Sequence, residues 1–271
     1  MCIFSFAPEA LAADSPQLKP RVNIKNASNY KAVTSQQNTK KSNSRKNIQS
    51  NKNVKTLDNS HKKDTKEEQK VYKDSEGNPI SEEQKERSKN LKKVYKGVTK
   101  DEHIMEALEL LRGGLGEFSR RAILGNNLSE KPMQVDFEDL SKFGQAYTNF
   151  DALGWKKKDR LYIYINKKHQ DAPKPALAAV LAHEALHQDD FNSLNEETYA
   201  WTMEAAVWTQ LSEKYPQYTD SMHPLSVREN TLKKLFVKGN YTSKYIRKTV
   251  FANPGYANLP SRSPGFEDDN L

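Results

Sequence analysis

His183-Glu184-Ala185-Leu186-His187 places two imidazoles four residues apart, with a carboxylate beside the first. The run Ala176–Gln188 around them contains no Gly or Pro and consists mostly of strong helix formers. Residues four apart lie on the same face of a helix. His183 and His187 can therefore hold one metal ion between them, and Glu184 can reach a water on that ion. This H-E-x-x-H spacing serves zinc-assisted hydrolysis, with the carboxylate as general base. Two histidines leave such a site incomplete, because a catalytic zinc takes three protein ligands and keeps one open position.

The third ligand must come from an element that packs against this helix. A short connection follows His187, and the pattern predicts a second helix over Leu194–Tyr215. It opens with Ser193-x-x-Glu196, a capping box. A short connection makes the two helices antiparallel neighbours, so a carboxylate in the first turns of the second can face the histidines. If Ser193 is the N-cap, Glu196 closes the capping box and Glu197 is left free, on the side that carries Trp201. Glu197 is then the third ligand and Glu196 the cap. Before the motif, Arg160–Asn166 (RLYIYIN) reads as the strongest strand of the chain, β-branched and aromatic and bounded by charged turns. Leu161, Ile163 and Ile165 point one way, Tyr162 and Tyr164 the other. Pro175 suits the first turn of the motif helix, with Asp171 as its cap.

Strand, HExxH helix and a following glutamate helix together resemble the gluzincin group of zinc metallopeptidases, over roughly 160–211. In that group the third ligand lies in an E-x-x-x-D pattern. Here Trp201 stands where the Asp would be, so Asp189, Asp190 or Glu204 must supply the carboxylate that orients a ligating histidine. The resemblance implies Zn2+ bound by His183, His187 and Glu197, with Glu184 as general base. It also implies Leu161–Ile165 as the sheet edge on which an extended peptide docks. The oxyanion donor would come from His223, Tyr199 or Arg228.

The other elements are weaker in pattern. Asp101–Arg112 reads as a helix with Asp101 and Glu102 at its start, and Glu117–Leu124 as a further helical piece. Pro132–Phe137 reads as a short strand, Asn149–Trp155 as loop turned by Gly154, and Lys156–Asp159 as a surface turn. Pro224–Val237 reads as helix, and residues 238–271 as irregular. His103 and His169 read as exposed.

Charge is divided unevenly along the chain. Residues 14–100 carry 22 Lys+Arg against 10 Asp+Glu, a net of +12, whereas 101–271 carry 21 against 24, a net of −3. The first of these segments is rich in Lys, Asn, Ser and Gln, with three Tyr and no Trp or Phe. It cannot bury enough apolar surface to fold alone, apart from a helical stretch at Ser81–Val94. It reads as a solvated linker or pro-segment, or as a tether to an anionic surface, without the spaced aromatics that suit specific nucleic-acid readout. The lone Cys2 excludes internal disulfides and Cys-rich zinc sites. Met1–Ala13 reads either as the end of a secretory signal or as an ordinary terminus, and no apolar run approaches a membrane span.

The sequence thus predicts an α+β chain. Residues 1–13 are a truncated signal segment and 14–100 a disordered basic tract. Residues 101–240 form a small zincin-like domain with a short, mostly antiparallel sheet, and 241–271 an irregular tail. The expected activity is an exported zinc metallopeptidase acting on peptide or protein substrates. The alternatives are an inactive zincin-fold binding protein held at an anionic surface, or a zinc amidase acting on a non-peptide or cell-wall amide.

Overall fold

A computed structural model describes residues 80–125, 131–188 and 191–267. The expected signal segment and the tract up to residue 79 lie outside the described residues. Within them the fold is mixed α+β, with seven helices and one three-stranded sheet.

Helix α1 (Glu82–Val94) has Glu82 and Glu83 in its first turn and Lys92 and Lys93 in its last, the charge order that complements a helix dipole. The sequence assigns this stretch to the basic tract. The structure instead docks it, through Leu91, Tyr95 and Val98, into the main hydrophobic core. Tyr95 is fully buried, donates its hydroxyl to Glu109 and accepts from Arg120 Nε, each at 2.8 Å. Two aliphatic residues and one tyrosine are too sparse for a compositional reading to mark as core. α2 (Glu102–Leu110) is capped by Asp101, whose side chain accepts from the Ile104 N–H at 3.1 Å. α3 (Glu117–Ile123) follows after a glycine-containing turn.

The sheet runs in the order β1 (Gln134–Glu138), β3 (Arg160–Asn166), β2 (Ala152–Lys157). β1 pairs parallel with β3 and β2 pairs antiparallel with it. The sheet is therefore mixed rather than mostly antiparallel, and β3 is its central strand, not its edge. β2 occupies residues that read as loop. Its Gly154 weakens the strand pattern, but a Cβ there would meet Glu184 Oε2 at 3.5 Å and His187 Cβ at 3.7 Å. The glycine marks close passage of the strand past the motif helix. Lys158, in the left-handed region at φ 59, and Asp159 close the hairpin to β3.

On β3, Ile163 and Ile165 are buried, while Tyr162 and Tyr164 lie on the other face, where Tyr164 packs against Phe143 at 4.7 Å. α4 (Lys174–Glu184) is buried continuously from Pro175 to His183, as a helix enclosed on all sides must be. It contacts α2, α3, α5, α6 and β2. Its N-cap is Pro173, and Asp171 does not cap it.

α5 (Leu194–Lys214) packs along α4, then α6 (Pro224–Lys238) and α7 (Lys244–Phe251) pack on α5. α7 lies in the region expected to be irregular. Its Ile246 and Val250 close a second cluster with Trp201, Ala205, Leu232 and Phe236. The chain then returns to the start of α5, where Pro260 and Ser261 accept from the Leu194 and Asn195 N–H groups at 2.9 and 3.2 Å. No helix among the described residues is long and apolar enough to cross a membrane.

Candidate metal centre

α4 ends at Glu184, one turn short of the sequence expectation. His187 sits on a tightened turn, with the Leu186 N–H donating to His183 O at 2.9 Å and the His187 N–H to Glu184 O at 3.3 Å. The two imidazoles still converge, with Nε2 to Nε2 at 3.3 Å. Two nitrogens bound at zinc distances to one tetrahedral ion would lie about 3.3–3.4 Å apart. Glu197 completes the group: its Oε2 lies 3.9 Å from His183 Nε2 and its Oε1 3.8 Å from His187 Nε2. Ligand atoms of His183, His187 and Glu197 all fall within 4.8 Å of one another. Glu197 Oε2 is buried without a hydrogen-bond partner, as a carboxylate oxygen reserved for a cation would be.

The surrounding charges make the same demand. Burial alone would lower the His187 pKa, but Glu197, Glu196 and Glu184 push it up to about 10. Despite its own burial, Glu197 is held below the usual carboxylate range by the two histidines. Carboxylates thus crowd the two imidazoles, an arrangement that favours a positive charge between them. These residues fit a divalent cation held by two imidazole nitrogens and a carboxylate.

Each histidine of the cluster is held by its own glutamate. His187 Nδ1 meets Glu196 Oε1 at 2.9 Å, and the Ser263 hydroxyl donates to Glu196 Oε2 at 3.0 Å. The Ser193 half of the expected capping box is present, its Oγ accepting from the Glu196 N–H at 3.1 Å. The Glu196 carboxylate, however, serves the histidine, and the Ser193 N–H donates to Asn192 Oδ1. His183 Nδ1 faces Glu204 Oε2 at 2.9 Å. Glu204 therefore supplies the orienting carboxylate that Trp201 lacks, three residues further along the same side of α5. Trp201 packs edge-on against His183 at 5.3 Å. Asp189 and Asp190 lie outside the described residues.

Glu204 is itself ion-paired with Arg228, which also donates to Asp151 Oδ2 at 3.0 Å and stacks over Trp201 at 4.9 Å. Although burial would raise it, Arg228 and His183 hold the Glu204 pKa down at about 2. Arg228, expected as an oxyanion candidate, is thus the counter-ion of the orienting glutamate. His169 is buried rather than exposed, its Nε2 meeting Asp151 Oδ1 at 2.7 Å. His103 is likewise engaged, with its Nε2 at 2.7 Å from Ala172 O.

Glu184 is half-buried, and burial raises its pKa, the direction that brings a carboxylate toward use as a general base near neutrality. Its carboxylate faces Gly154 on β2, which is solvent-exposed. Of the expected oxyanion candidates, His223 caps α6, with Nδ1 accepting from the Leu225 N–H at 3.2 Å, and its Nε2 lies 3.4 Å from Asp171. It is not part of the ligand cluster. Tyr199 packs on Phe266 at 5.7 Å. Tyr256, which nothing in the sequence marks, reaches Glu197 of the cluster. Its hydroxyl accepts from Trp201 Nε1 at 3.0 Å and bonds the Glu197 carboxylate, and burial raises its pKa. Comparison with family models, with curated proteins and with solved structures finds no match for this chain.

Proposed function

We propose that the protein is a zincin-like zinc metallopeptidase that hydrolyses peptide bonds, with His183, His187 and Glu197 as ligands and Glu184 as general base. The observation that supports this most directly is the convergence of the three ligand groups beside a carboxylate that faces an open strand edge. β2 lies at an edge of the described sheet, where an extended substrate can pair with its backbone. Gly154 would bring that substrate's backbone to Glu184 without an intervening side chain.

Zinc, when bound, supplies Lewis acidity that activates water and polarises the scissile carbonyl. Glu184 accepts the proton of the attacking water and returns it to the leaving amine. Glu204 and Glu196 fix the two imidazoles, and Tyr256 is a hydroxyl donor at the edge of the centre. The N-terminal segment is proposed as an export signal.

Purified full-length protein should carry about one zinc per chain and cleave a peptide library. Glu184→Gln should retain zinc and lose cleavage, while Glu197→Ala should lose zinc. Wild-type turnover in Glu184→Gln would refute the mechanism.

A further inference from the structure

From Asn230 through Phe266 the sequence contains no Asp or Glu and seven Lys+Arg, although 101–271 as a whole is slightly acidic. The structure gathers part of this charge onto the outer surface of α6 and α7. On α6, Asn230, Lys233, Lys234, Val237 and Lys238 share one face, which opens as a groove toward Thr219. At the α6–α7 connection Tyr241 is 59% exposed. Lys238 and Lys244 both lie over the Tyr245 ring, at 4.8 and 5.6 Å, and so tie the two helices into one surface. On α7, Lys244, Lys248 and Phe251 recur at helical spacing. Val237 and Phe251 are each 42% exposed, and Lys234 and Lys248 make no ion pair among the described residues.

Exposed lysines interleaved with exposed aliphatic and aromatic side chains match the chemistry of a bilayer interface. Lysines are drawn to anionic headgroups, tyrosine suits headgroup depth, and apolar side chains as exposed as Val237 and Phe251 suit the acyl boundary. A single-stranded nucleic acid would need a run of open ring faces for stacking, but Tyr241 alone offers one: the Tyr245 ring is approached by two lysines and Phe251 is stacked by Arg247 at 4.4 Å. We infer that the α6–α7 surface docks the protein onto an anionic lipid bilayer, independently of the metal centre.

The test is cosedimentation of the full chain with vesicles of phosphatidylglycerol and phosphatidylcholine, with phosphatidylcholine alone as reference. Joint replacement of Lys234, Lys238, Lys244 and Lys248 by Glu should weaken binding at least about tenfold. Tyr241→Ser with Phe251→Ser, which leaves the charge unchanged, should weaken it several-fold. Exchanging Lys40, Lys41, Lys62 and Lys63 for Glu changes the charge equally within the N-terminal tract and should cost less. Thermal unfolding would verify that each variant is folded. Absence of vesicle binding, wild-type binding by the helix-pair variant, an equal loss from the tract exchange, or preference for a single-stranded oligonucleotide would each overturn the inference.

Discussion

At the scale of single residues, Glu196 and Glu197 show how adjacent identical side chains divide their work. Glu197 turns to the imidazole nitrogens that face each other, and Glu196 turns to the far nitrogen of His187. A group that orients a metal-bound histidine contributes roughly 10–100-fold to metal affinity. With zinc held as proposed, Glu196→Ala should weaken its binding by about that factor in a chelator competition. Ser193→Ala removes only the helix cap, at about 1 kcal/mol of stability, and should leave zinc affinity near wild type. Equal zinc affinities in the two variants would refute the orienting role. Gly154 offers a second test. Alanine there makes ordinary contact with Glu184 and should be tolerated, whereas Gly154→Leu should cover the carboxylate and lower kcat/KM with zinc content unchanged. That His183, His187 and Glu197 converge was legible from helical spacing and a short connection, but the argument that separated Glu197 from Glu196 rested on a capping box that only Ser193 fulfils, because the Glu196 carboxylate goes to His187. Arg228, Asp151 and Ser263 were not legible in these roles, because they reach the centre from distant parts of the chain.

At the scale of elements, the helices were easier to read than the edges. α2 and α5 start at Asp101 and Ser193 as the sequence reads, and α6 starts at the expected Pro224, but its cap is His223, which the sequence offered as an oxyanion candidate. β2 was hidden by Gly154, whose reason for being in a strand is the helix behind it. The C-terminal segment was hidden by its Pro and Gly content, although it caps α5 through the Pro260 and Ser261 carbonyls and holds Glu196 through Ser263. Ending the chain after Ala252 should therefore lower the melting temperature and also weaken zinc binding, because the start of α5 carries both Glu196 and Glu197. A truncated protein that melts earlier but binds zinc as tightly as the full chain would show the segment to be structural only. Ser263→Ala, a far smaller change, should move zinc affinity in the same direction.

At the scale of the whole molecule, the cluster of His183, His187 and Glu197 is joined to the sheet by a line of ion-paired and hydrogen-bonded side chains. His169, in the turn after β3, meets Asp151 just before β2; Asp151 meets Arg228 on α6; and Arg228 meets Glu204 on α5, which faces His183 on α4. Arg228 stands between three acids, and the carboxyl of Glu229, beside it, is raised by burial and by Glu204. Burial would raise Asp151 as well, but His169, Arg228 and Lys168 outweigh it and hold its carboxyl well below the ordinary value of 3.8. A carboxyl whose pKa is lower in the folded than in the unfolded chain stabilises the fold above its unfolded pKa. That contribution fades as pH falls toward the folded value. Asp151 should therefore contribute fully near neutrality and progressively less from about pH 5 downward. In urea titrations Asp151→Asn should be less stable than wild type at neutral pH, and the gap should narrow as the solution is acidified. A gap that stayed constant across that range would mean that Asp151 acts through packing alone, and that the charges do not bind the sheet to the helices that carry the site.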